Sequence, residues 1–331
     1  MTLTLAIETS CDDTCAAVVD GTNVRSNVVA TQLDHDRFGG VVPEVAARAH
    51  LEQLGPVIDA ALADAGATIA EIERVGVTAG PGLVGALLVG VSAAKAIAAA
   101  RGVPLVAVDH LHGHIAANLA GAGQADPPDL CLVVSGGHTF LAEIRGPGPA
   151  DWRIIGETLD DAAGEAIDKG ARMLGLGFPG GPALQRLAAE GDPAAFAFPT
   201  ADRVAGLDFS FAGLKTALLY AIRDLGDTEA AARRADLAAS YQRAVVEQLA
   251  RRTARAIEET GAGRLAIGGG VAANGPLRGR LSGLGVPCSV PPHALCTDNA
   301  AMIGVAAHFT PPLGDADARR LEVYATGSRP R

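Results

Sequence analysis

Residues 110–114 read His-Leu-His-Gly-His and follow the apolar stretch "VPLVAV". Three imidazoles at alternate positions would share one face of a strand; on a helix only His110 and His114 pair, at i and i+4. Two imidazoles so placed on a helix converge on one metal ion, and such a site needs a third ligand. Candidates for it are Asp298 in "CTDNAAMIG", Asp109 and His112. The H-E-x-x-H pattern is absent, which removes the helical glutamate base of a metalloprotease.

Three polar turns follow apolar runs: "ETSCDDT", "VVSGGHT" and "AIGGGVAAN". Glycine lets backbone N–H groups approach an anion, and a helix N-terminus adds a favourable dipole. One such turn is an ordinary tight turn; three in corresponding places point to a phosphate- or nucleotide-binding cleft. Neither G-x-x-x-x-G-K-[ST] nor G-x-G-x-x-G is matched, so neither the P-loop nor the dinucleotide fold is supported. A fourth segment, "DDAAGEAIDKGARMLGLGFPGGP", starts with Asp160 and Asp161, whose charges suit a helix N-terminus. Asp168 lies deeper in that helix and is the better ligand candidate, and "FPGGP" forms a loop that could lie flat against a base or ribose.

The elements that must hold these residues follow from periodicity and turn signals. "LTLAIETSCDDTCAAVVDGTNVRSNVVA" reads as three strands with turns at "TSCDDT" and "DGTN". A helix near 43–65 follows, then strand "RVGVTAG", a turn at Pro81-Gly82, a helix to about Ala100 and strand "VPLVAVD". "DLCLVVSGGHTFLAEIRG" and "WRIIGETL" repeat the three strands. Helices around 160–175 and 229–260, strand "RLAIGGG", a helix from about Ala272 and strand "VPCSV" complete the second copy. The pattern β-β-β-α-β-α-β thus occurs twice, from near residues 3 and 130. It predicts mixed sheets with helices on both faces, and ligands at strand-end loops facing each other across a cleft. "GAGQADPP" (121–128) is a hinge candidate.

Composition bounds the function. A chain of 331 residues suggests about two domains. Hydrophobic residues make up 49% and aromatics 4%, so the core is built of Ala, Val, Leu and Ile. A net charge of −10 opposes nucleic acid binding unless a local basic patch exists. The best candidate patch is 229–260, with Arg233, Arg234, Arg243, Arg251, Arg252 and Arg255; Arg251 and Arg255 share a helix face. A solvated helix exterior is the competing role. Cysteines 11, 15, 131, 288 and 296 form no C-x-x-C, which suits free thiols in a reducing cytosol. The N-terminus lacks the basic region of a signal peptide. Residues 75–94 are uncharged and long enough to span a bilayer, but Pro81 and five glycines break the run into strand, turn and buried helix.

"IETSCDDT", "FGGVVPEVAARAH", "TAGPGLVGALLVG", "LVVSGGHT", "DDAAGEAIDKGARMLGLGFPGGP", "LDFSFAGLKTAL", "GGGVAAN" and "CTDNAAMIG" together resemble the tRNA N6-adenosine threonylcarbamoyltransferase family, formerly described as O-sialoglycoprotein endopeptidases. The resemblance runs from about residue 3 to 307. It implies a two-lobed α/β fold of the actin/Hsp70/sugar-kinase (ASKHA) type, each lobe an RNase H-like mixed sheet with helices on both faces. Residues 1–123 with 293–331 would form the N-terminal lobe, carrying the metal segment and a partner interface. Residues 124–292 would form the C-terminal lobe with the adenylate-binding loops. The implied reaction moves a threonylcarbamoyl group from threonylcarbamoyl-AMP to N6 of adenosine 37 in tRNAs that read ANN codons, and AMP leaves. The implied metal is one divalent ion per subunit, iron (Fe2+) or zinc, on His110, His114 and Asp298. Adenylate contacts map onto Val133, Val134, Ser135, Gly136, Gly137, Asp168, Gly181 and Asn274. Asp12 and Asp13 come near the reacting group, where either could accept the proton lost by the amine; capping of the first hairpin is their alternative role. Implied partners are tRNA, an inactive paralogue bound through the N-terminal lobe with "PEVAARAHLEQLGPVIDAAL" as the expected contact, and a small ATPase. The implied compartment is the cytoplasm. One departure stands out: His112 occupies a position where the family has glutamate.

Three other functions compete. A small-molecule kinase of the same superfamily would share the cleft but not need H-x-x-x-H with "CTDN". A metallopeptidase lacks its glutamate base. A non-catalytic scaffold should have lost the metal ligands and "SGGH", and this chain keeps both.

Overall fold

The computed structural model describes residues 2–32, 41–121, 127–177 and 179–325. The hinge candidate at 121–128 and Phe178 of "FPGGP" fall largely or wholly outside them. The chain divides into two compact units. One comprises Met1–Pro127, Arg145–Trp152 and Pro291–Arg331; the other Pro128–Ile144 and Arg153–Val290. The segment Arg145–Trp152 therefore groups with the first unit, although the expected division kept all of 124–292 together.

The first unit is built on strands β1 (Leu3–Glu8), β2 (Asp13–Asp20), β3 (Asn23–Thr31), β4 (Arg74–Gly80) and β5 (Leu105–Asp109), in the order β3-β2-β1-β4-β5. β1 pairs antiparallel with β2 and parallel with β4, and β5 pairs parallel with β4. Both faces of β1, β2, β4 and β5 are covered, which is why these strands read as near-continuous apolar runs, whereas β3 at the sheet edge is mostly half-buried or exposed. Leu5, Ile7, Ala16, Val18, Val75 and Val77 pack under helices α1 (Pro43–Asp64) and α2 (Val84–Arg101). The alternate residues Ala6, Cys15, Ala17, Val19, Val106 and Val108 pack on the other face with helix α9 (Ala300–Phe309), buried throughout Ala300–Ala307. α2 is long and apolar enough to cross a membrane, but Ala86, Leu87, Gly90, Val91, Ala94 and Ala98 are buried within the unit.

α9 lies close on the sheet because position 304 is glycine. A Cβ there would reach within 2.5 Å of Val19 Cγ2 and 3.2 Å of Ala6 Cβ. The short helix α3 (His110–Ala116) approaches α9 by the same device: a Cβ on Gly113 would lie 2.8 Å from Ile303 Cδ1.

The second unit repeats the plan with β6 (Leu130–Val134), β7 (Thr139–Ile144), β8 (Trp152–Glu157), β9 (Leu265–Gly268) and β10 (Cys288–Ser289). Its order is β10-β9-β6-β7-β8, the same arrangement of first to fifth strands as in the first unit. β6 is antiparallel to β7 and parallel to β9. Four helices separate β8 from β9: α4 (Ala163–Met173), α5 (Gly180–Ala188), α6 (Ala212–Ala232) and α7 (Arg234–Thr260). The sequence pattern had predicted helices only in the regions of α4 and α7. α8 (Gly275–Ser282) precedes β10, and α10 (Asp315–Arg320) follows α9 in the first unit.

Candidate active site

The His-Leu-His-Gly-His segment forms α3, so the helical pairing applies. Asp109 starts it: its Oδ1 accepts hydrogen bonds from the backbone N–H of Leu111 (2.8 Å) and His112 (3.2 Å). Its Oδ2 accepts from the Tyr324 hydroxyl at 2.7 Å. Asp109 is thus committed as a helix cap. Asp298 comes from just before α9, whose N-terminus Asn299 caps by accepting from Met302 N–H at 2.9 Å. The close packing of α3 on α9 brings His110, His114 and Asp298 together, with one ligand atom from each inside a 4.8 Å span.

Asp298 Oδ1 lies 3.3 Å from His114 Nε2 and 3.6 Å from His110 Nε2. The two rings stand edge to face, with centroids 4.7 Å apart. His114 is fully buried, and among the described residues neither of its ring nitrogens has a hydrogen-bond partner. A buried imidazole whose nitrogens the described protein groups do not take up is suited to ligate a metal ion. Two imidazoles and a carboxylate facing one point fit a single divalent ion. Among the described residues the thiols of Cys11 and Cys15 are not part of this convergent group.

His112 faces elsewhere. Its Nε2–H donates to the Pro147 carbonyl at 3.0 Å, and its ring stacks on Trp152 at 6.2 Å with a 17° interplanar angle.

One residue that chemistry needs was not among the expected ones. Glu8 ends β1, is 1% exposed, and accepts from His110 Nδ1 at 2.9 Å. Its carboxylate also accepts from Thr78 Oγ1 at 2.6 Å and from the Ser10 backbone N–H. Held so, His110 carries its proton on Nδ1 and presents Nε2 toward Asp298 and His114. In the metal-free centre burial pushes Glu8 up, but the His110 partner outweighs it and the carboxyl ends below its usual range. Burial would lower His110, yet the Glu8 and Asp298 carboxylates push it up to about 9. The available signal was a carboxylate at the end of a buried apolar strand, which must have a partner.

Asp12 lies in the turn from β1 to β2, and Asp13 opens β2. Asp13 Oδ1 is buried and lacks a hydrogen-bond partner among the described residues. Burial, with smaller contributions from the Asp298, Asp12 and Glu8 charges, pushes Asp13 up to about 6, even though Thr31 hydrogen-bonds it. A carboxylate poised there can accept a proton near neutral pH.

In the second unit a chain of contacts links the expected adenylate residues. Val133 and Val134 end β6 and are buried. Position 164 must be glycine because its Cβ would collide with the Ser135 carbonyl, so the start of α4 sits against the Ser135 turn. Gly136 and Gly137 have open space where a side chain would stand. Asp168 Oδ1 accepts from Gly180 N–H at 2.9 Å, which ties α4 to the start of α5 at Gly180 and Gly181. Burial pushes Asp168 up, against the Gly180 and Gly181 amides that lower it. Gln185 of α5 accepts from Gly275 N–H at 3.0 Å, and Asn274 caps α8 while donating to Gln242 at 3.1 Å. Backbone N–H groups, open glycines and one carboxylate at strand and helix ends suit a nucleotide.

Two groups of residues singled out in the sequence have specific partners in the structure. Asp160 does not serve the start of α4: its Oδ1 accepts from Phe211 N–H (2.7 Å) and Ala212 N–H (3.1 Å) at the start of α6. Asp161 pairs with Lys169 at 2.8 Å. The arginines around α7 are largely engaged within the protein. Arg252 donates to the carbonyls of Ala201, Val204 and Gly206, and Arg251 and Arg255 pair with Asp202 and Glu259. Arg233 pairs with Asp236 and lies over the Phe196 ring, and Arg234 donates to the Gly175 carbonyl.

Residues 23–305 match the family model described as tRNA N6-adenosine threonylcarbamoyltransferase. A protein of that name from Anaeromyxobacter dehalogenans is 54% identical over 314 residues, covering 92% of this chain and 93% of its own. Another, from Thermomicrobium roseum, is 49% identical over 351 residues, covering 97% and 95%. Among solved structures, T. kodakarensis HypF aligns with a TM-score of 0.60 at 16% identity, over 98% of this chain and 48% of its own. Component A of the Acidaminococcus fermentans (R)-2-hydroxyglutaryl-CoA dehydratase aligns with a TM-score of 0.57 at 15% identity, over 93% and 97%. At such low identity these two structures speak for the two-lobed α/β fold alone.

Proposed function

The chain belongs to the tRNA N6-adenosine threonylcarbamoyltransferase family, and from that premise we propose that it transfers threonylcarbamoyl from threonylcarbamoyl-AMP to N6 of adenosine 37 in tRNAs reading ANN codons. The observation that carries this is 54% identity to a protein of that name across 92% of the chain. The N6 amine attacks the carbamoyl carbon, the bond from that carbon to the phosphate oxygen breaks, and AMP leaves with the electron pair. The donor is an activated mixed anhydride, so the enzyme's task is orientation and charge stabilisation.

Each residue then has a task. Ser135, Gly136, Gly137, Asp168, Gly181 and Asn274, with Val133 and Val134 behind them, hold the adenylate. Asp13 takes the proton that N6 must lose; burial raises its carboxyl in the direction that job needs, with Asp12 beside it. His110, His114 and Asp298 hold one divalent ion, iron or zinc. When bound, that ion supplies Lewis-acid polarisation of donor oxygens. Glu8 keeps His110 in the ligating tautomer.

tRNA binding is shared with partners, because the α7 arginines are mostly engaged within the protein. A groove between α1 and α2, lined by Leu51, Leu54, Ile58, Leu88 and Val89, supports docking of an inactive paralogue; Leu51 is 69% and Leu88 49% exposed. A small ATPase completes the set. Five cysteines, none in a disulfide among the described residues, and a tRNA substrate suit a cytoplasmic location.

The test is incubation of the purified chain with threonylcarbamoyl-AMP, unmodified tRNA and the partner proteins, followed by mass analysis of nucleosides. Formation of threonylcarbamoyladenosine is expected. None under any partner combination would sink the assignment.

A further inference from the structure

Helix α1 buries a stripe that includes Ala46, His50, Leu54 and Ile58, spaced four apart. A leucine at position 50 would complete the stripe without burying polar atoms. The chain instead places there an imidazole with 0% exposure. Burying that ring is unfavourable unless its nitrogens are hydrogen-bonded, and its partners are specific. Nε2 lies 3.0 Å from the Cys11 carbonyl oxygen, so Nε2 carries the proton and donates it. Nδ1 is then the acceptor, and the Thr14 hydroxyl lies 2.7 Å from it. Cys11 and Thr14 flank Asp12 and Asp13 on either side.

The same junction is braced from one more side. Gln32, whose backbone N–H donates to the Asp12 carbonyl at 3.2 Å, sends its side-chain amide to the Ala46 carbonyl of α1 at 3.3 Å. The aspartate turn is thus fastened at both ends to an outer helix.

We propose that His50 is a positioning residue: a two-point clamp that fixes the Cys11–Thr14 turn, and with it Asp12 and Asp13, to helix α1. The proposal deepens the transferase assignment and rests on the role given there to the two aspartates. It also makes their placement depend on α1, whose next residue, Leu51, is 69% exposed on the groove side.

The side chain itself supplies a discriminating test. Glutamine places its amide near the Nε2 position and can still donate to Cys11. Asparagine reaches only the Nδ1 position and keeps at most the Thr14 contact. His50→Ala, His50→Asn, His50→Gln and the packing control Val57→Ala are compared in the full chain. One readout is kcat and KM with threonylcarbamoyl-AMP, tRNA and partner proteins. The other is amide hydrogen exchange over residues 9–14. His50→Ala and His50→Asn should lower kcat about tenfold or more while KM for the donor changes far less. Exchange over the turn should rise about tenfold beyond that of Val57→Ala, and His50→Gln should restore most of both. The clamp is refuted if His50→Ala keeps its kcat with turn exchange no faster than in Val57→Ala, or if His50→Gln is no better than His50→Asn. If the unsubstituted protein makes no threonylcarbamoyladenosine, the transferase assignment fails, and exchange alone then decides the clamp.

Discussion

Replacing Asp13 by Asn should stabilise the metal-free protein while disabling it. The carboxyl is pushed from an ordinary 3.8 up to about 6, mainly by burial and then by neighbouring negative charge. Ionising it in the folded state is therefore harder than in the unfolded chain. Its unfavourable contribution is absent below about pH 4, grows as pH rises through about 6, and is constant above that. A shift of about 2 units at about 1.4 kcal/mol each sets a ceiling of about 3 kcal/mol. The turn is partly exposed, and solvent screening reduces the expected gain to about 1–2 kcal/mol. Asparagine keeps the shape and can still accept from Thr31. The assay is urea unfolding of chelator-treated protein across pH 3.5 to 8, with the substitution and without. The variant should match the parent near pH 4 and exceed it at pH 7. Its transferase rate should fall about 10²-fold or more, the usual loss on removing a general base. A gain of equal size at both pH values, or none at pH 7, would show that Asp13 is not held in a charge-disfavouring site.

Glu8→Gln should weaken zinc binding about 10–100-fold in competition with a chromogenic chelator, since the carboxylate fixes the His110 tautomer; unchanged affinity would remove Glu8 from that role. His110→Ala and His114→Ala should each lose both metal and activity. His112→Gln should bind metal like the parent, because residue 112 faces Pro147 and Trp152; loss of metal there would overturn the two-histidine assignment. His112→Glu should keep the metal as well but lose about 1–3 kcal/mol of stability, because an ionised carboxylate has no N–H to replace the one that His112 Nε2 donates to the Pro147 carbonyl. Gly304→Ala should cost about 1–3 kcal/mol, read from the urea midpoint, because its Cβ would drive α9 off Val19 and Ala6.

What was legible in the sequence was local. The spacing of His110 and His114 is a property of one helical turn, and the strand runs of both units carry their own periodicity. The doubled β-β-β-α-β-α-β order was therefore readable, and the two sheets share one strand arrangement. What could not be read depends on contacts distant in sequence. Asp109 looked as good a third ligand as Asp298 until the Tyr324 hydroxyl, 215 positions away, and two backbone amides took up its oxygens. Asp160 looked like a charge at its own helix, yet it caps α6 some 50 residues on. The α7 arginines formed a plausible basic face, but Arg252 closes on three carbonyls of a loop 46 to 51 residues earlier. α9 carried no amphipathic signal because Ala300–Ala307 are all buried, and a continuous apolar run does not distinguish helix from strand. The same limit explains Glu8 and His50. Each is a polar residue standing where an apolar one would satisfy the local pattern, at the end of β1 and in the buried stripe of α1. Such local violations mark the places where tertiary hydrogen bonds override propensity. In this chain one grips the imidazole proposed as a metal ligand and the other the turn that carries the aspartates.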